Sequence, residues 1–247
     1  MNRPEKAYFV SDTHFGAPPD SPLREADFVH WLDMVKIDGT QLFLLGDMFD
    51  FWFSYKHVVP RGFVRVLGKL AELADSGVEI HFFTGNHDMW VFDYFEKELG
   101  MQVHTAPVEM EIGGKLFFMG HGDGLTKMNK AYLTLKKVFA SRLCQRMFAA
   151  LHPWVGFGIA KKWSRSSRKN GKKRVQKQCR PSEVPVFCKA KLQEKHYDFF
   201  VFGHRHRVEI DAVGKVSQCF VIGNWIENRN YAVFNEGQFE VRDFAKE

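Results

Sequence analysis

Cysteine is scarce in this chain of 247 residues: there are four (Cys144, Cys179, Cys188, Cys219), with no C-x-x-C pair and no regular spacing. That excludes a disulfide framework and a thiolate zinc site, and it fits a reduced cytoplasmic protein. No apolar run reaches the 18 residues of a membrane-spanning helix. The polar stretch from Met1 to Lys6 runs directly into a strand, with no signal-peptide apolar region. Repeats and low-complexity linkers are missing too. Acidic residues are absent from one long segment. Between Gly124 and Ser182 stand 16 Lys or Arg and no Asp or Glu, while the rest of the chain has 19 basic against 29 acidic residues. The net charge of +6 therefore hides an acidic body carrying a cationic insertion.

Core-forming residues are plentiful. With 45% hydrophobic and 15% aromatic residues, 25 of them Phe, the chain can bury a large interior. The length fits a single domain, residues 1–247, with 124–182 inserted as a basic helical lid. Ala7 to Val10, Gln41 to Leu45 and Val78 to Phe83 read as buried strands. Helical spacing over Arg24 to Lys36 and Arg61 to Asp75 separates them. Strand alternating with helix implies βαβ units and a covered sheet, where ligands gather at the carboxyl ends of the strands. Lys115 to Met119 and Asp198 to Phe202 read as further strands. Short alternating runs at 208–213, 216–222, 231–234 and 239–241 suggest antiparallel strands joined by turns. The sum is an α/β fold with a mixed sheet, or two packed sheets with helices outside.

Five of the apolar runs end in polar clusters: Asp12-Thr13-His14, Gly46-Asp47-Met48-Phe49-Asp50, Gly85-Asn86-His87-Asp88, Gly120-His121 and Gly203-His204-Arg205-His206. A lone D-x-H or G-H is commonplace, and a single histidine is more often a packing residue than a ligand. Five such clusters, each directly after an apolar run, have no comparable structural explanation. Carboxylates, imidazoles and one amide oxygen, without thiolate, suit Mn²⁺, Fe or Zn²⁺. Asp12, His14, Asp47, Asn86, His121, His204 and His206 are enough ligands for two ions about 3.5–4 Å apart. The glycines before Asp47, Asn86, His121 and His204 are expected to make tight turns that aim the next side chain. Asp123 is a candidate for orienting an imidazole. His57, His81, His104, His152 and His196 lie outside the clusters and read as surface or packing residues.

The ordered clusters resemble those of the calcineurin-like metallophosphoesterases, from Asp12 to His206. The resemblance implies a four-layered αββα sandwich. It further implies that Asp12, His14, Asp47 and His206 hold one metal, while Asp47 as bridge, Asn86, His121 and His204 hold the other. His87 would act on the leaving oxygen, oriented by Asp50. The activity implied is metal-assisted attack of water on phosphorus.

The insertion bears on the substrate. Lys136-Lys137, Arg142 and Arg146, and ten basic residues between Lys161 and Arg180 accompany Trp154, Phe157, Ile159 and Trp163. Such a segment can be a solvated lid, a nucleic-acid contact or an interfacial element at an anionic membrane. The run Gly46 to Trp52 and the helical insertion before G-H-x-H are similar to the UDP-2,3-diacylglucosamine diphosphatases of bacterial lipid A biosynthesis. That resemblance implies two divalent ions, Mn²⁺ by preference, and a phosphorylated nucleotide-sugar lipid as substrate. It also implies work at the cytoplasmic side of the inner membrane as a peripheral protein, with no specific nucleic-acid partner. Asn86, Arg165, Ser167 and Arg168 are the candidate phosphate contacts, and Trp154, Phe157 and Trp163 the candidate lining of an acyl-chain cleft. The chain departs from well-known diphosphatases at His87, where they carry arginine. A nuclease or nucleotide phosphodiesterase with the same metals is the alternative.

Overall fold

The computed structural model describes residues 5–18, 21–125, 130–177 and 183–244. The chain runs β1 (Lys6–Val10), α1 (Ser21–Asp38), β2 (Gln41–Leu44), α2 (Val64–Asp75), β3 (Glu79–Phe83), α3 (Tyr94–Leu99) and β4 (Gln102–His104). It continues through β5 (Val108–Ile112) and β6 (Lys115–Gly120) to α4 (Lys130–Ala140), α5 (Arg142–Ala149) and α6 (Pro153–Lys177). Helix α7 (Val184–Leu192) then leads to β7 (Phe199–Phe202), β8 (Val208–Val213), β9 (Ser217–Ile222), β10 (Asn230–Asn235) and β11 (Gln238–Asp243).

These strands form two mixed sheets, ordered β11-β10-β1-β2-β3-β4 and β5-β6-β7-β9-β8. Strands β1 to β4 are parallel, as are β6, β7 and β9; the antiparallel partners sit outside them. Strand periodicity decides the layers. Ala7 and Phe9 point with Phe43, Leu45 and Phe83 into a core shared with Phe117, Met119, Phe199, Val201 and Phe220 of the second sheet. Their neighbours Tyr8, Val10, Leu42 and Leu44 face the other way, against Phe28, Trp31, Leu32 and Val35 of α1 and Val66, Leu70 and Leu73 of α2. Helix α7 covers the far side of the second sheet, where Val184 and Cys188 pack on Phe200, Phe202 and Cys219. The architecture is helix, sheet, sheet, helix. Because both faces of each sheet are covered, its inner strands are apolar throughout rather than alternating.

The expected elements are present with shifted ends. Helix α1 begins at Ser21, and α2 begins at Val64, after Phe63 adopts a left-handed conformation (φ 61°). The sequence reading missed α3, β4, β5 and α7. Strand β5 is an alternating edge strand (Val-Glu-Met-Glu-Ile), and α3 is only six residues long. Such short elements carry little periodic signal.

Helices α4, α5 and α6 fill most of the cationic insertion and dock through aromatic rings. Phe148 lies 4.8 Å from Phe53 and 4.9 Å from Trp90, and Phe157 lies 5.4 Å from Phe51. Trp90 Nε1 donates to the Phe139 carbonyl at 2.9 Å. Trp154 is 81% exposed and Trp163 55% exposed, the latter beside Phe139.

Candidate metal centre

Each of the five clusters follows an inner strand, so the loops after β1, β2, β3, β6 and β7 converge at one end of the sandwich. The β1 loop continues its strand's pairing: Asp12 N donates to Gly46 O at 3.1 Å, His14 N to Asp47 O at 3.0 Å and Phe15 N to Met48 O at 2.9 Å. This ties the first two clusters together through backbone. Five of the candidate ligands hold positive φ: Asp12 (54°), His14 (43°), Asp47 (54°), His204 (69°) and His206 (56°). Left-handed backbone at non-glycine residues costs of order 1–3 kcal/mol each and persists only where the surroundings enforce it.

The glycines act differently from expectation. Of those preceding Asp47, Asn86, His121 and His204, only Gly46 has a left-handed φ (86°). The others permit close approach. A Cβ on Gly85 would overlap the Asp47 carboxylate, and one on Gly203 would overlap Ser11 Oγ and the Asp12 carboxylate.

The donor atoms fall into two adjoining groups. Asp12, His14 and His206 form one, and Asp47, His121 and His204 the other, with the ligand atoms of each group within 4.8 Å of one another. His14 Nε2 and His206 Nε2 are 3.2 Å apart, as are His121 Nε2 and His204 Nδ1. Asp47 Oδ2 lies between the groups, 3.7 Å from His14 Nε2 and 3.4 Å from His121 Nε2. Asn86 Oδ1 lies 3.4 Å from His121 Nε2. All seven sequence-derived ligands are thus brought together.

On Asp12, Asp47 and His121 the atom turned away from the centre is already engaged. Asp12 Oδ2 accepts from Ser11 Oγ at 2.7 Å and from His204 N at 2.8 Å, while buried Oδ1 has no hydrogen-bond partner and faces His206 Nε2 at 3.2 Å. Asp47 Oδ1 accepts from His87 N at 2.8 Å. His121 Nδ1 donates to Leu45 O at 2.8 Å, which leaves its Nε2 as a lone-pair donor. Imidazole nitrogens aimed at each other beside two carboxylates, with no thiolate, fit a pair of divalent cations.

The electrostatics agree. Burial opposes ionisation of Asp12 and Asp47, yet the surrounding histidines hold both carboxyls well below the usual range. Burial would lower His121, but the Asp47 charge and contact push it up to about 10. His204, half-buried beside it, is pushed down to about 4 by desolvation and by the neighbouring His121 charge.

Asp50 and His87 adjoin this centre. With His14 they form a third close group, on the side of the His14 ring that carries Nδ1. His87 Nδ1 donates to the Asp50 carbonyl at 2.9 Å. The Asp123 carboxylate is held by Tyr132 Oη and Lys136 Nζ of α4, each at 2.6 Å. Burial opposes its ionisation, but His121 and Lys136 keep its carboxyl below the usual range. Arg165, Ser167 and Arg168 belong to α6, but their side chains lie outside the described residues, as does Cys179.

Three residues were given no role by the sequence reading. Ser11 anchors Asp12. Asp88 accepts backbone N–H groups from Gly85 at 2.8 Å and Met48 at 2.7 Å. Ser164 Oγ donates to Asp50 Oδ1 at 2.7 Å. Asp88 was visible as the end of the Asn86-His87-Asp88 cluster; the two serines carried no signal.

The chain belongs to the calcineurin-like phosphoesterase family, whose model matches residues 6–208. It is a metal-dependent hydrolase by family. Among individual proteins it is 38% identical to the UDP-2,3-diacylglucosamine hydrolase of Porphyromonas gingivalis, over 93% of this chain and 94% of that one. The UDP-2,3-diacylglucosamine hydrolase of Haemophilus influenzae is 28% identical over 92% of each chain. A solved phosphoesterase from E. coli is 13% identical, covering 98% of this chain and 94% of that one at a TM-score of 0.48.

Proposed function

We propose that the chain hydrolyses UDP-2,3-diacylglucosamine to UMP and 2,3-diacylglucosamine 1-phosphate, a step of lipid A biosynthesis. It does so with two Mn²⁺ ions at the cytoplasmic surface of the inner membrane. The observation that carries this reading is the 38% identity to the Porphyromonas gingivalis hydrolase over 93% of the chain, a span too long to omit the helical insertion.

Asp12, His14, Asp47 and His206 would hold one ion, and Asp47, Asn86, His121 and His204 the other; the place of Asp47 Oδ2 between the two groups supports its bridging role. Bound there, the ions supply an activated water and neutralise charge on the phosphoryl oxygens. The chain's own residues do the rest. His87, with Nδ1 donated to the Asp50 carbonyl, keeps Nε2 for a proton shared with the departing oxygen as the P–O–P bridge breaks. Helices α4 to α6 act as the lid, and Asn86, Arg165, Ser167 and Arg168 contact the substrate's phosphates. Leu143, Met147, Trp154, Ile159 and Trp163 are exposed among Arg142, Arg146, Lys161 and Lys162, a pattern that supports contact with an anionic bilayer.

The test is incubation of the purified protein with Mn²⁺ and UDP-2,3-diacylglucosamine, read by mass spectrometry beside Asp47→Ala. Release of UMP and the lipid 1-phosphate by the wild type alone is expected. An intact lipid alongside cleavage of single-stranded DNA or a nucleotide diester would replace this substrate with a nucleic acid or nucleotide.

A further inference from the structure

We propose that Ser164 is a positioning residue for hydrolysis. Through its hydroxyl, helix α6 holds the Asp50 carboxylate against the imidazoles of His14 and His87, so that docking of the insertion and alignment of the reacting groups are one event. The proposal rests on the roles given above to His87 and Asp50, and is independent of which phosphate ester is the natural substrate.

The inward face of α6 is built from small residues one turn apart, Gly156, Ala160 and Ser164, all buried. Small side chains let the helix backbone come close. A Cβ on Gly156 would lie 2.6 Å from Tyr55 Oη. Ser164, 3% exposed, ends this stripe directly over the site. A serine within a helix commonly turns its hydroxyl back to the carbonyl four residues earlier. Here it donates across 114 positions of sequence to Asp50 Oδ1, at the 2.7 Å typical of a charge-assisted bond.

That oxygen is 3.7 Å from His87 Nδ1 and 3.8 Å from His14 Nδ1, beyond hydrogen-bonding distance of either. His87 Nδ1 is instead taken by the Asp50 carbonyl, and His14 Nδ1 has no hydrogen-bond partner among the described residues. Neither imidazole therefore fixes this carboxylate oxygen, whereas Ser164 does. Anchoring the insertion needs no such bond, since Phe148 on Trp90, Phe157 on Phe51 and the Trp90–Phe139 hydrogen bond already supply it.

The test compares wild type, Ser164→Ala and Ser164→Cys in the full chain with Mn²⁺. Cys keeps the shape but is a weak donor. Two esters are used: bis-p-nitrophenyl phosphate, too small to need the insertion for binding, and UDP-2,3-diacylglucosamine. Loss of a hydrogen bond to a charged group corresponds to about a tenfold or greater fall in kcat. That fall is expected for the small ester in both variants, with its KM unchanged and thermal unfolding close to wild type. Adding Ser164→Ala to Asp50→Asn should cost less than about twofold more, because the two groups act through one bond. Full kcat on the small ester with a raised KM for the lipid would reduce Ser164 to an anchor and overturn the proposal. His87→Ala is run in parallel. Normal turnover there would remove His87 from the mechanism, a failure distinguishable from that of Ser164.

Discussion

Asp88 Oδ2 accepts the backbone N–H of Met48 at 2.7 Å, tying the loop of Asn86 and His87 to the loop of Asp47 and Asp50. The same carboxylate also receives N–H groups from Gly85, Asp47 and Phe49. Burial and the Asp47 charge push its carboxyl up to about 7, against the backbone donors that favour the anion. Asp88→Ala leaves buried N–H groups without their acceptor. The expected loss is about 2–4 kcal/mol of stability in urea unfolding, together with at least about tenfold weaker Mn²⁺ binding by titration calorimetry. Unchanged Mn²⁺ affinity would show that the two loops hold their register without it.

Gly203 separates β7 from His204 and lets that loop lie against Ser11 and Asp12. Gly203→Ala places a methyl group where these side chains sit. Overpacking of this kind costs about 1–3 kcal/mol. It should also displace Asp12 from the Ser11 hydroxyl and the His204 N–H, so turnover should fall by more than tenfold, about the effect of a sub-ångström shift in a metal ligand. Full activity on bis-p-nitrophenyl phosphate would show that the loop can move aside freely.

His81 lies outside the metal centre, in a buried position on β3. Its ring stacks on Phe43 at 4.6 Å, and Nδ1 meets His104 Nε2 at 3.0 Å. Burial drives its pKa down to about 4, from 6.5. A folded pKa below the unfolded one means that the unfolded chain binds the proton more readily between those values. Stability should therefore be fully present above about pH 6.5 and decline as pH falls towards 4. His81→Phe, which keeps the stacking, should flatten that part of the pH–stability curve. An unchanged slope in the variant would assign the acid sensitivity to other groups.

The outer face of the insertion offers a test of membrane contact. The double variant Met147→Ser, Trp154→Ser removes two side chains that are 66% and 81% exposed. Co-sedimentation with vesicles containing phosphatidylglycerol should drop at least fivefold, given the apolar area lost from the interface. Wild-type binding should also weaken as salt is raised, because Arg142 and Arg146 of α5 and Lys161 and Lys162 of α6 share these helices with the two positions. Equal binding by the variant would leave simple charge attraction as the whole effect.

Much of the centre was legible because its chemistry is local in sequence. Each cluster of candidate ligands follows a short apolar run, and a buried strand with a polar loop at its end is recognisable without knowing its neighbours. The layer order was less direct. The runs Ala7 to Val10 and Phe199 to Phe202 are apolar on both faces, which announces burial but not what covers each face. Alternate residues prove to face the second sheet and the helices. The edge strand β5 and the six-residue α3 were missed because their patterns are too short to stand out.

By itself, then, the sequence determined the donor types, their order, the strand ends that carry them and the cationic character of the insertion. These follow from side-chain chemistry and from periodicities of a few residues. Tertiary structure decided which oxygen of Asp47 lies between the two groups, that Gly85 and Gly203 serve close approach, and that the strained backbone falls on five of the candidate ligands. It also singled out Ser164 from a run in which Arg165, Ser167 and Arg168 had looked more informative. A hydroxyl 114 residues from its carboxylate partner leaves no trace in local pattern. Only the packing of the Gly156-Ala160-Ser164 face against the core brings the two together.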